Sequence, residues 1–188
     1  MAYLLILRGG IAGQTAALHA RKKLGHQHEV IVVTPNSKWN WIPSNIWVGV
    51  GMMKTEDVTF DLAPVYKKSG ITYLQAKALS INPEGEGSSS TPFVTIEYTS
   101  PEKKGVTEKV KYDYLINSTG PKLNFDATKG LGPEKNSYSV CTPSHATEAN
   151  HHLQESIQRM KKGEKQTLLV GTGHGSCTFQ GAAFEYIF

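Results

Sequence analysis

Tyr3-Leu4-Leu5-Ile6-Leu7-Arg8-Gly9-Gly10-Ile11-Ala12-Gly13 runs from an apolar segment into a glycine turn. Its first five residues are apolar without alternation, which suits a parallel strand buried on both faces. The Gly-rich turn then hands the chain to a helix predicted from Ala12 to Leu24, with Ala16, Ala17, Ala20 and Leu24 along one side. Glu29-Val30-Ile31-Val32-Val33 reads as the next strand. A β-turn-α-β unit therefore closes between residues 3 and 33, the compass of a dinucleotide-binding βαβ unit.

The turn itself departs from the G-x-G-x-x-G pattern. Gly10 and Gly13 stand at its second and third glycines, but Arg8 occupies the first. Gly10 lets backbone approach a pyrophosphate, Gly13 lets the helix pack close to the strand, and the helix N-terminus turns N–H groups toward the phosphates. Arg8 has three readings: tolerated in place of glycine, a phosphate contact in its own right, or a single-base error in a glycine codon. The second strand ends in Thr34-Pro35-Asn36, with no carboxylate for a ribose. Asn36 suits a bond to a ribose hydroxyl and equally suits a plain turn.

All three tryptophans fall in Trp39-Asn40-Trp41-Ile42-Pro43-Ser44-Asn45-Ile46-Trp47-Val48-Gly49-Val50-Gly51. Flanking Pro and Gly predict a shaped loop there, and such loops commonly carry binding function. From Gly70 a β-rich excursion follows, with strands at Ile71–Leu74, Phe93–Tyr98 and Glu108–Tyr112 and polar hairpin tips between them. Tyr112 to Pro121 is a strand running into Thr119-Gly120-Pro121, suited to bringing backbone near a ligand. The two cysteines each stand where a helix is predicted to begin, the setting that favours a thiolate. Thr142-Pro143 after Cys141 reads as an N-cap and N1 pair. Cys177 follows a predicted strand, Thr167-Leu168-Leu169-Val170, and a second Gly-rich turn, Gly171–Ser176. His145 and His174 read as ordinary helix and turn residues, with proton transfer as the sharper role.

Composition narrows the function classes. The 188 residues allow one domain and the start of another, with 39% hydrophobic and 19% charged residues. The net charge of +4 comes from scattered basic residues, with Arg21-Lys22-Lys23 and Lys161-Lys162 read as solvated helix ends. Aromatic-interleaved basic stripes of the nucleic-acid kind are absent, so no nucleic-acid partner is expected. Two cysteines are too few for a disulfide scaffold, and no metal site is expected. No signal peptide is legible, and no stretch approaches the ~20 apolar residues of a membrane span. The expected location is the cytoplasm, or the periphery of the cytoplasmic membrane.

Five segments taken in order resemble the sulfide:quinone oxidoreductase family: the N-terminal glycine turn; Pro43-Ser44-Asn45 with Trp47–Gly51; Tyr112–Leu115 through Thr119-Gly120-Pro121-Lys122-Leu123; Cys141-Thr142 with His145-Ala146; and Gly175-Ser176-Cys177 with Glu185-Tyr186. The resemblance implies an α/β fold: a Rossmann-like FAD-binding βαβ domain with a β-rich excursion over residues 1–140, incomplete, then a linker helix and the start of a second dinucleotide-binding domain over 141–188. It implies oxidation of sulfide at active-site cysteines, FAD as cofactor, and electrons passed to a membrane quinone. On matching positions Gly9, Gly10, Ala12 and Gly13 meet the FAD pyrophosphate. Thr34, Pro35 and Asn36 meet the adenosine ribose, Lys77 and Ala78 the adenine, Ile42, Pro43 and Ser44 the flavin side, and Thr119 and Gly120 the cofactor late in the domain. Cys177 matches the cysteine that carries sulfur beside the flavin, and Cys141 a second catalytic cysteine.

Family chains are expected to run about twice this length, so the resemblance implies a fragment. Quinone pocket, membrane-binding helices and a further redox cysteine would lie in the remainder, and homo-oligomer formation is a further expectation. Two rival classes stay open. One is a related flavoenzyme, either a flavocytochrome-type sulfide dehydrogenase or a type II NADH dehydrogenase. The other is a non-catalytic nucleotide-binding module.

Overall fold

The computed structural model describes residues 1–172 and 181–187. In chain order the elements are β1 (Tyr3–Leu7), α1 (Ile11–Leu24), β2 (Glu29–Thr34), β3 (Lys38–Asn40), α2 (Asn45–Gly49), β4 (Thr59–Asp61), α3 (Leu62–Ser69), β5 (Thr72–Asn82), β6 (Phe93–Tyr98), β7 (Thr107–Lys111), β8 (Tyr114–Asn117), α4 (Pro143–Lys161) and α5 (Gly181–Ile187). They fall into two compact units: Met1–Trp39 with Asp61–Pro121, and Asn40–Phe60 with Lys122–Phe188.

The first unit is built on a six-stranded sheet of order β7-β6-β5-β2-β1-β8. β1 pairs in parallel with β2 and β8, and β2 with β5. The predicted βαβ unit is thus the centre of the sheet. Successive residues of β1 and β2 feed opposite faces, as the two-residue period of a strand requires. Leu5, Leu7, Ile31 and Val33 join one buried cluster, while Ile6, Val30 and Val32 join another with Ala17, Leu62, Tyr66 and Ile71. α1 and α3 therefore cover one face.

The excursion covers the other face rather than standing apart from the sheet. β5 is one strand with two partners: residues 72–75 run parallel to β2, and residues 76–82 run antiparallel to β6. A register shift between Ala78 and Ser80 bends it, and a bulge increases local twist. Ala76, Val94, Ile96, Tyr98 and Val110 consequently share a cluster with Leu5 and Leu7. β7 closes this side with Glu108, Lys109 and Lys111, charges that discourage further strand pairing.

The structure corrects several expectations. Arg21 is not solvated; it is buried, and its Nη1 donates to the carbonyls of Gly25 (2.6 Å) and His28 (2.9 Å), closing the end of α1. Lys22 and Lys23 are exposed, as are Lys161 and Lys162. The tryptophan segment is more regular than the loop expected, holding β3, a 3-10 turn at Ile42–Ser44 and α2. The Thr167–Val170 strand is not formed: that stretch carries no strand hydrogen-bonding pattern, and Leu169 is 93% exposed. A strand needs a neighbour to satisfy its backbone, and none of the described strands pairs with this stretch.

In the second unit Val48 of α2, Val58 and Ala146 of α4 form a small core against Met53 and Val140. Asn45, fully buried, exchanges two hydrogen bonds with Asn40 (2.8 and 3.1 Å), so neither amide is stranded. The Tyr186 hydroxyl donates to the Gly49 carbonyl at 3.1 Å. No helix among the described residues is long and apolar enough to cross a membrane.

Candidate functional site

The parallel strands end together. Leu7 stands level with Val33 on one side and Asn117 on the other, and Thr34 with Gln75. Gly9, Gly10, Ala12, Gly13, Thr34, Pro35, Asn36, Thr119 and Gly120 thereby gather along one carboxyl edge of the sheet. Lys77 and Ala78 follow two and three residues beyond Gln75 on β5. The order reverses at β1, since β2 lies on one side and β8 on the other; such a switch point opens a crevice for ligands.

The turn after β1 is held from both sides. Arg8 N–H donates to the Val33 carbonyl at 2.7 Å, and Ser118 Oγ donates to the carbonyls of Leu7 (2.7 Å) and Arg8 (3.0 Å). Arg8 has φ +74°, the left-handed region that glycine would enter freely. Its Nη1 donates to the Thr119 carbonyl at 2.8 Å, joining the ends of β1 and β8. Gly13 packs so closely that a Cβ there would lie 1.9 Å from the Arg8 carbonyl oxygen.

Gly10 is the opposite case. A Cβ built on it meets nothing within 4 Å, so the turn faces open space. Gly10 is also the N-cap of α1, which has no side-chain cap and no acidic residue in its first turn. Orphan N–H groups and an uncompensated positive dipole end facing an open cradle suit a phosphate. By this geometry the residues present fit the pyrophosphate of a dinucleotide.

One residue of this edge was missed from sequence. Tyr66 of α3 is fully buried, and its hydroxyl, without a hydrogen-bond partner, would sit 2.8 Å from a Cβ on Gly9. Burial, with Tyr73 nearby, pushes its pKa up to about 12, so the group is a neutral donor. Nothing in the local sequence marks it, because a tyrosine on a short amphipathic helix reads as core.

Thr34 is buried, while Asn36 is exposed and engaged through its carbonyl, which accepts from Tyr73 Oη at 2.8 Å. The Pro35 carbonyl accepts from Thr99 Oγ1 at 2.8 Å. Lys77 is exposed and paired with Glu97 at 2.8 Å. Gly120 takes φ +68°.

Ile42, Pro43 and Ser44 belong to the second unit, where Ile42 is 53% exposed beside exposed Trp41 and near exposed Trp47. Cys141, in the same unit, is an exposed free thiol one residue before the N-cap. Its N–H donates to Ser139 Oγ at 3.1 Å, and Thr142 Oγ1 accepts from His145 N–H at 3.2 Å, as the capping pattern predicted. Cys177 and His174 lie outside the described residues.

No protein-family model matches the chain. The sulfide-quinone reductase of Aquifex aeolicus (strain VF5) is 31% identical over 184 residues, 98% of this chain and 37% of that protein. The mitochondrial sulfide:quinone oxidoreductase of Dictyostelium discoideum is 25% identical over 174 residues, 93% of this chain and 35% of that protein. Among solved structures, the X-ray structure of the sulfide:quinone oxidoreductase from Aquifex aeolicus matches with a TM-score of 0.70 and 30% identity, over 84% of this chain and 33% of that one. The chain spans about a third of the length of these relatives, less than the half expected from sequence. Along nearly its whole length, then, this chain is similar to the sulfide:quinone oxidoreductases, and the similarity spans about a third of such a protein.

Proposed function

We propose that this chain carries the FAD-binding portion of a sulfide:quinone oxidoreductase-type flavoenzyme. The carrying observation is the open Gly10 cradle at an uncapped helix N-terminus, in a chain 31% identical to a sulfide-quinone reductase over 98% of its length. Residues 1–140 contribute to the FAD domain; residues 141–188 supply a linker helix and the start of a second dinucleotide-binding domain. When bound, FAD supplies the two-electron chemistry that links sulfide oxidation to quinone reduction.

The chain's own residues bind and orient. N–H groups of the Gly9–Gly13 turn receive the phosphates, and buried Tyr66, neutral below its pKa of about 12, backs Gly9 without adding negative charge. Thr34, Pro35 and Asn36 meet the ribose, the Lys77 and Ala78 backbone the adenine, and Thr119 and Gly120 the cofactor near the switch point. Ile42, Pro43 and Ser44 offer the flavin side. Cys177 carries the sulfur that sulfide donates, and Cys141 serves as the second cysteine. Quinone, membrane surface and any homo-oligomer contact would fall to the remainder of such a protein, with the enzyme in the cytoplasm or at the periphery of the cytoplasmic membrane.

The test is spectroscopic. Purified chain given FAD should retain the flavin through desalting, and anaerobic sulfide should bleach its visible band. Cys177→Ala should keep the flavin and lose the bleaching. Failure to retain flavin would overturn the cofactor assignment, and bleaching unchanged in Cys177→Ala would overturn the cysteine's role. A non-catalytic nucleotide-binding module is the second reading, prompted by the left-handed Arg8; it predicts uptake of ADP without sulfide-driven bleaching.

A further inference from the structure

Helix α4 carries a side-chain cluster that the flavin reading does not use. His151, His152 and Glu155 point one ligand atom each into a region where all three lie within 4.8 Å of one another. His151 Nδ1 stands 3.6 Å from Glu155 Oε1, and His152 Nδ1 stands 3.0 Å from Oε2. Each imidazole thus faces a different oxygen of the one carboxylate, at separations close to the ligand–ligand edge of about 3.3 Å in a tetrahedral ion with bonds of about 2.0–2.1 Å. The remaining separation closes by rotation of His151, the more exposed of the two rings.

The site is partly organised. The His152 ring stacks on Tyr138 with centroids 4.3 Å apart and planes 24° apart, which fixes its orientation. The backbone beneath is a 19-residue helix with a satisfied N-cap, so the spacing of the three side chains is rigidly set. The cation expected to compete for Glu155 is engaged elsewhere: Arg159, one turn on, pairs with Glu164 at 2.7 Å. Two imidazoles and one carboxylate form a borderline donor set, suited to Zn²⁺ rather than to Mg²⁺ or Ca²⁺, which prefer oxygen throughout.

We propose that His151, His152 and Glu155 form a divalent transition-metal site of Zn²⁺ type on the surface of α4, with three protein ligands and at least one position open to water. Such an ion links residues across one helical turn and so staples that part of α4.

Isothermal titration of untagged full chain with ZnCl₂ is the test, with Co²⁺ absorption reporting the coordination shell. One equivalent should bind, and ligand-field bands should appear with Co²⁺. Affinity should fall about tenfold or more in each of His151→Ala, His152→Ala and Glu155→Gln. His19→Ala, an exposed histidine on α1, should bind as the parent does. Helix content by circular dichroism guards against variants that misfold, and these exposed or half-exposed helical positions tolerate the changes. No saturable binding at millimolar Zn²⁺, binding that survives His152→Ala and Glu155→Gln, or equal loss in His19→Ala would each overturn the site.

Discussion

Two glycines three residues apart do opposite work in the turn after β1, and substituting each separates fold from function. A methyl on Gly13 would sit 1.9 Å from the Arg8 carbonyl oxygen. Gly13→Ala should therefore cost about 3 kcal/mol or more in urea unfolding, because backbone has to move. A methyl on Gly10 meets nothing, so Gly10→Ala should leave stability within about 1 kcal/mol. The same methyl fills the phosphate cradle, and FAD affinity, followed by quenching of flavin fluorescence, should fall about tenfold or more. Arg8→Gly releases a side chain from φ +74° and should raise stability by about 1 kcal/mol, net of the exposed bond to Thr119. The glycine pattern made positions 10 and 13 legible in the sequence. It also marked position 8 as irregular, but only the backbone angle says what the irregularity is: an arginine in a glycine's conformation. Tyr66 was illegible because its significance lies in what it faces, a property of packing rather than of neighbours in sequence.

Elements were readable where a local pattern coincided with a local cause. β1, α1 and β2 announce themselves through an unbroken apolar run, an alanine face and a second apolar run. β6 and β7 do so as short segments between polar turns, and β8 as an apolar strand running into Thr119-Gly120-Pro121. α3 escaped notice because eight residues present only Leu62 and Tyr66 to the core. The double pairing of β5 was hidden for a different reason: a strand's partners are set by tertiary placement, and nothing in its sequence marks the change of partner after Gln75. Thr167–Val170 erred the other way, since apolar content without a neighbouring strand makes no ladder. Arg21 shows how a charge run misleads. Its guanidinium holds two carbonyls at the end of α1, so Arg21→Ala should cost about 2–3 kcal/mol in chemical denaturation. Lys22→Ala, one residue on and exposed, should stay within about 0.5 kcal/mol.

At the scale of the molecule, three tyrosines of the first unit share one electrostatic fate. Burial pushes Tyr66, Tyr73 and Tyr98 up to about 12 from the usual 10, with Tyr73 adding to the shift of Tyr66 and Glu108 to that of Tyr98. Raised pKa values mean that the folded state holds its phenolic protons more tightly than the unfolded state. The resulting stability is complete below pH 10 and disappears as pH climbs through about 12. Alkaline titration should show tyrosinate absorbance and loss of helical dichroism rising together above pH 10, and Tyr66→Phe should shift the midpoint upward.

The bonds from Ser118 to the carbonyls of Leu7 and Arg8 span 111 and 110 residues of sequence. That separation has a temporal meaning. A chain emerging from the ribosome exposes β1 and its turn first, and β8 only after the whole β-rich segment has been made. Until then the glycine turn lacks one of its two anchors, and β1 has an unpaired edge. On the proposed function, nucleotide capture would follow, not guide, the early steps of synthesis, and a nascent chain stalled before residue 118 would be a better client for a chaperone than for a cofactor.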